Sequence, residues 1–191
     1  MQCISLTRET LRLHGHRALQ LLDEYWHGLA LRGGVPHWSA VDPKAFQDAL
    51  EYAFMADCVG KPHARLRVAG GAVSSVVGGD LRGLPLSVFF GPRVRPRFQA
   101  ALAQVIKGGC PADLTLSAPQ AGATGRMVLY PLVDDQGQVT QVLGGLIVGG
   151  DAGPAPRRYN IDHIRHGATP QRPRPAPALR GPALRLVVDN G

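Results

Sequence analysis

The residues in this 191-residue chain whose types suit catalysis or metal binding are seven histidines, three cysteines and two glycine-aspartate groups. Arg165-His166-Gly167-x-Thr169 has the form of a motif in which a histidine accepts a phosphoryl group. That chemistry needs the histidine on a rigid strand end, with further arginines and a second histidine around the phosphate. Here the tripeptide lies in a proline-rich stretch close to the C-terminus, so a chance match is expected. His163-x-x-His166, beside Asp162, has a spacing that suits a metal. A third ligand and an outer shell to orient the imidazoles are missing from the pattern. His14-x-His16 falls on different faces of a helix. Solvent-exposed histidine is the reading for all four.

Gly78-Gly79-Asp80 and Gly149-Gly150-Asp151 begin like the nucleotide-cyclase signature, but neither is followed by Glu-Phe. No phosphate-cradling Gly-x-x-x-x-Gly-Lys-[Ser/Thr] occurs, and no nucleophile-elbow Gly-x-Ser-x-Gly. The expectation is a protein that is not an enzyme. Cys3, Cys58 and Cys110 stand far apart without paired spacing, which fits a reducing compartment and argues against a thiolate zinc site. Cys58 and Cys110 read as small core or strand-end residues. Met1 to Ser5 has neither a basic start nor an apolar signal core, and no apolar run approaches the roughly 20 residues of a membrane span. A soluble, cytoplasmic protein with no membrane partner is expected.

The formal charge is +7, and it is unevenly placed. Residues 152–191 carry seven arginines against two aspartates, a net +5, which leaves only +2 for residues 1–151. The same forty residues hold seven prolines, which break helices and deny sheet pairing. They are expected to form a mostly disordered, flexible tail, with polyproline character between Pro170 and Pro177. Ala183 to Val188 is a short apolar patch able to dock on the domain or a partner. An arginine-proline tail can also touch phosphates, so a nucleic-acid-associated protein is the alternative reading, less favoured than a solubilising tail.

The elements that must position these residues follow from periodicity. Thr7 to Leu31 is predicted as one long helix, with Thr7 or Ser5 as cap and Arg32-Gly33-Gly34 as its end. Leu11, Ala18, Leu19, Leu22, Trp26 and Leu29 recur at helical spacing as one apolar stripe. Such a helix must pack on its own domain or on its copy in a dimer. Asp42-Pro43 opens a short helix that carries Phe46 and Leu50 inward. Tyr52 to Val59 and Arg65 to Val68 are predicted as a hairpin, turned by Gly60-Lys61-Pro62. One or two helical turns follow between Gly70-Gly71 and Gly78-Gly79. Arg93 to Lys107 is the next helix. Three strands close the domain: Asp113 to Ser117, Arg126 to Val133 and Val139 to Val148, the last two joined by Asp134-Asp135-Gln136-Gly137. This order specifies an α+β domain, a five-stranded antiparallel sheet with helices on one face.

The order and several residues resemble the PAS domain, in particular a group of short stand-alone PAS proteins common in alphaproteobacteria. The opening helix of that group ends in a Trp…Leu-Arg-Gly-Gly…Pro pattern, matched by Trp26, Leu31, Arg32, Gly33, Gly34 and Pro36. Further matches are Asp42-Pro43, Arg65-Leu66-Arg67-Val68-Ala69-Gly70, Gly78-x-x-Leu81-Arg82-Gly83, Gly125-Arg126, Leu129-Tyr130-Pro131-Leu132 and Gly144. Pro36-His37-Trp38-Ser39 departs from the usual basic run, and Asp57 stands where glutamate is common. The resemblance covers residues 20–150 and implies a sensory or adaptor role in bacterial signalling, through a small ligand, a protein partner or both.

The resulting division is 1–34 as an N-terminal helix for packing or dimerisation, 35–151 as the PAS-like domain and 152–191 as the tail. Pocket candidates are Phe54, Leu66, Val68, Phe89, Phe90, Leu102, Ile106, Leu129 and Leu146, for each of which plain core packing is the stronger reading. Arg126, like Arg32 and Arg82, is a candidate for an anionic ligand, against the commoner pairing with a nearby acid. Leu11, Leu19, Leu22 and Trp26 are the candidate surface for an unidentified signalling partner or a homodimer. No cofactor is assigned. The PAS resemblance implies, for haem, a histidine on the helix before the last three strands, which here is Arg93 to Lys107, and an Asn-Cys-Arg-Phe motif for photoactive flavin; both are absent, so neither group is expected.

Overall fold

The computed structural model describes residues 8–60, 62–118, 123–149 and 154–171, and of residues 8–13 only the backbone. Helix α1 spans Arg8–Ala30. Its end is set by backbone geometry, with the amides of Gly33 and Gly34 both donating to Ala30 O and Gly34 taking φ 89°. The expected caps Ser5 and Thr7 lie outside the described residues. Asp42 Oδ1 accepts from Lys44 N at 3.0 Å and opens a 3₁₀ helix over Pro43–Tyr52. A kink at Phe46 breaks its periodicity, so Ala49 turns inward beside Phe46 while Leu50 swings into solvent, against the sequence expectation.

Strands β1 (Ala53–Cys58) and β2 (Ala64–Ala69) form the first hairpin. Helix α2 (Gly71–Val77), a 3₁₀ turn at Leu86–Phe89 and helix α3 (Arg95–Gly108) follow. Strands β3 (Ala112–Ser117), β4 (Thr124–Val133) and β5 (Val139–Gly149) form the meander. In the β4–β5 turn, Asp134 Oδ1 accepts from the amides of Gln136 and Gln138, which pins the hairpin register. The fold is α+β, as expected, with the sheet extended by one strand.

That strand is β6, Asn160–His166, and over the described residues 154–171 it corrects the reading of a mostly disordered tail. It pairs antiparallel with β3, giving the sheet order β2-β1-β5-β4-β3-β6. The residues before it cross the helical layer, where Arg157 N donates to Val76 O at 2.8 Å and Tyr159 N to Phe89 O at 2.9 Å. Prolines 154 and 156 fall in this crossing rather than in the ladder, so they deny the strand nothing. Residues 172–191, with Pro173 to Pro177 and the Ala183–Val188 patch, lie outside the described residues.

Alternation along the strands sorts the core into two buried clusters, one on each face of the sheet. The inner cluster joins Leu66, Leu114, Leu129 and Leu146 to α2, α3, the Leu86–Phe89 turn, Tyr159 and Ile161. The outer cluster joins α1 to Val128, Tyr130, Leu143 and Ile147. The long helix therefore lies across the sheet from the short ones. Gly144 and Gly145 on β5 allow both layers close access. A methyl on Gly144 would meet the Phe54 ring and Val128 O, and one on Gly145 would meet Leu19 and Leu22 of α1. Among the described residues no helix is long and apolar enough to cross a membrane.

Candidate functional site

Eight of the nine apolar pocket candidates are brought together. Phe54, Leu66, Phe89, Phe90, Leu102, Ile106, Leu129 and Leu146 are all buried in the inner cluster. They pack on one another: the Phe90 and Phe98 rings stack with centroids 4.5 Å apart, and Phe54 and Phe89 lie 6.5 Å apart. Tyr159 and Ile161, from the segment read as tail, fill the same cluster. The side chains α3 contributes to this cluster are Phe98, Leu102, Val105 and Ile106, none of them an imidazole or a thiol.

The ninth candidate, Val68, does not join them. Met55 pairs with Val68 while the next residue, Ala56, pairs with Leu66, so Arg67 is an extra residue in the strand. The bulge turns Val68 to the outer face, where it is 56% exposed. The strict alternation of Arg65-Leu66-Arg67-Val68 concealed this.

Leu19, Leu22 and Trp26, expected as a partner surface, are covered by the chain's own sheet. Trp26 is fully buried, donates from Nε1 to Pro131 O at 2.9 Å and stacks on Tyr130 at 5.4 Å. The side chain of Leu11 lies outside the described residues. Burial pushes the Tyr130 hydroxyl up, reinforced by Asp23, whose Oδ1 accepts its proton at 2.8 Å.

Arg126 lies on the outer face and is spoken for. Its Nε and one terminal nitrogen donate to the two carboxylate oxygens of Asp113 at 2.9 and 3.0 Å, and Arg165 of β6 donates to the same group at 2.7 Å. Burial would raise the Asp113 pKa, but the two guanidiniums outweigh it and hold the carboxyl below its ordinary value. A small cavity of about 270 Å³ opens beside Arg126, between His16, Tyr52 and Thr115.

The reactive side chains are subdued. Burial, with Asp57 adding, pushes the Cys58 thiol up to about 11. Cys110 is also raised by burial; its Sγ donates to Gln104 O at 3.4 Å and sits 3.9 Å from His166 Nδ1. Both therefore stay protonated near neutrality, the state least suited to nucleophilic attack. His14, His16, His163 and His166 are exposed. Among the described residues no group of three or more histidine, cysteine or acidic side chains is placed to hold a metal.

An open concavity lies elsewhere, on the outer face at the β1–β2 edge, with no residue of α1 in its lining. It is a groove of about 870 Å³ between the Trp38–Pro43 segment and the strands. Met55, Val41 and Val68 give it an apolar floor, and Arg65, Arg67, Arg82 and Asp57 line its sides. Gln141 Nε2 donates to Asp57 Oδ1 at 3.0 Å, and Arg67 stands 3.8 Å from the same oxygen. Sequence analysis named residues of its lining, Leu66 and Val68 as pocket candidates and Arg82 as an anion candidate, but did not join them into one site. The further signal was a tryptophan, Trp38, in a polar loop after Pro36.

Comparison with curated proteins finds no match. Among solved structures, a light-oxygen-voltage domain studied with a flavin analogue is similar at TM-score 0.45 and 20% identity, over 60% of this chain and 87% of that one. The light state of the Aureochrome1 blue-light photoreceptor domain is similar at TM-score 0.42 and 19% identity, over 56% and 88%. An RNA-binding light-oxygen-voltage receptor is similar at TM-score 0.41 and 20% identity, over 57% of this chain and 33% of that one. The family model of the PAS domain matches residues 14–147, from the buried half of α1 to the end of the β5 core. With that match spanning well over half of its length, the chain belongs to the PAS domain family.

Proposed function

We propose that this PAS protein is a sensory or adaptor module of bacterial cytoplasmic signalling, without catalytic activity of its own, that works through contact with a partner protein. The observation that carries the reading is the contrast between the two faces. The residues that would line an internal ligand site are occupied in packing one another, with Tyr159 and Ile161 inserted among them. The open, partly apolar concavity is on the outer face instead. A homodimer through the α1 stripe is not favoured, because the described part of that stripe is already used within one chain.

Native mass spectrometry of the freshly purified full-length protein, with a denatured control, tests this. The expected mass is that of the bare chain. A small-molecule excess that disappears on denaturation overturns the reading in favour of ligand sensing inside the core.

A further inference from the structure

Large apolar side chains scattered singly over a surface are ordinary, whereas a contiguous set of them is not. Among the described residues five such side chains stand in solvent, and four of them border one depression: Trp38 at 45%, Leu50 at 41%, Val59 at 50% and Val68 at 56% exposure. The groove described above runs into a second, almost wholly apolar hollow of about 290 Å³, with which it shares Val41, Pro43, Met55 and Val68. Three arginines face one carboxylate along the rim. Arg65 is fixed there by donating to Gly83 O at 2.9 Å, and Asp57 is already engaged by Gln141 and Arg67.

We propose that this groove docks an acidic, apolar-anchored segment of a partner protein, seating aliphatic side chains against Met55, Val68 and Leu50 and carboxylates against Arg65, Arg67 and Arg82. The proposal deepens the adaptor reading and rests on it. Charge decides against the other occupants. A two-fold contact with a second copy would bring together two patches of the same net positive charge, three arginines against one aspartate in each. The chain's own residues 172–191 bring four arginines and one aspartate, again the wrong sign. A nucleic acid would meet Asp57 and an aliphatic floor, with one exposed ring, Trp38, in place of a stacking series.

Trp38 supplies the readout. The chain has two tryptophans, and Trp26 is fully buried, so a ligand that lacks tryptophan and fills the groove alters the emission of Trp38. The full-length protein is titrated with a synthetic peptide alternating glutamate with leucine and valine, with its lysine counterpart, and with a single-stranded oligonucleotide. The expected result is a saturable blue shift with the glutamate peptide, weakened by salt. Its affinity should fall roughly tenfold or more in Arg65→Glu/Arg67→Glu and in Val68→Asp, a factor of ten being about 1.4 kcal/mol. Thermal melts of the variants verify the fold, and Arg82→Glu serves if Val68→Asp melts early. No shift up to about millimolar peptide, equal binding of the lysine peptide, unchanged affinity in the variants or tighter binding of the oligonucleotide overturns the proposal. A silent titration with a bare native mass removes the groove alone. A mass excess removes the partner reading whatever the peptide does.

Discussion

Asp113 is held by two arginines from neighbouring strands, and this makes it the acid-sensitive point of the outer face. Its folded pKa lies below its unfolded value, so the stabilisation is present above the ordinary carboxylate range near 4 and is lost as pH falls through the folded pKa. Both arginine partners are partly exposed, so solvent screening limits the contribution to about 1 kcal/mol. Urea titrations between about pH 5 and 2 should show the parent losing that much more stability than Asp113→Asn. Trp26 tests packing at the same scale. Trp26→Ala should cost about 3–5 kcal/mol, and Trp26→Phe less, about 1–2 kcal/mol, mainly for the donor lost to Pro131 O. Residue types and spacing were enough to find the interior: eight apolar candidates, and Ala18, Leu19, Leu22 and Trp26 of the α1 stripe, are buried as their periodicity demanded. They were not enough to tell ligand-lining from core packing, because both require the same side chains. Nor was the partner of Arg126 legible, since Asp113 is far from it in sequence and meets it only through the β3–β4 register.

Among the strands, β6 was the one hidden, and the reason is a bulge. Ile161 pairs with Leu116 and His163 with Thr115, which leaves Asp162 as an extra residue. Ile161 and Ile164, three apart, therefore contact the same inner cluster, and a two-residue alternation never shows in the sequence. The seven prolines of residues 152–191 then dominated the reading of the whole segment, although none falls within the strand. Amide hydrogen exchange should show residues 160–166 protected to nearly the same extent as β3, and Tyr159→Ala should lower both together. Exchange of residues 160–166 at the rate of an unstructured peptide would refute the pairing. The bulge in β2 acts in the opposite sense. There the alternation was plain, and the extra Arg67 turned Val68 away from the cluster it was expected to join.

At the scale of the whole molecule, the sheet separates two packed layers, and β5 is where the separation is thinnest. Phe54 lies against Gly144 and α1 against Gly145, with only backbone between them. Gly144→Ala and Gly145→Ala should each destabilise by about 1–3 kcal/mol. The first should cost more, because Val128 O, a ladder carbonyl, cannot move aside as the Leu19 and Leu22 side chains can. Equal or higher stability in either variant, measured by denaturant titration, would contradict the close approach. This placement of the two layers was only half legible. Periodicity showed that α1 needs a partner, yet the apolar stripe is the same whether a helix covers one face of a sheet or the other.

The last strand also gives the molecule a history at birth. β3 emerges from the ribosome with both edges free; β4 closes one of them soon afterwards, but the other acquires its neighbour only when residues 160–166 have been made. At about 5–20 residues per second the wait is roughly 2–9 s, during which the rest of the sheet can assemble but Leu114 and Leu116 lack Ile161 and Ile164. A free strand edge beside uncovered leucines is a template for a neighbouring nascent chain. The newborn protein thus keeps one edge of its sheet open to wrong pairing until β6 arrives.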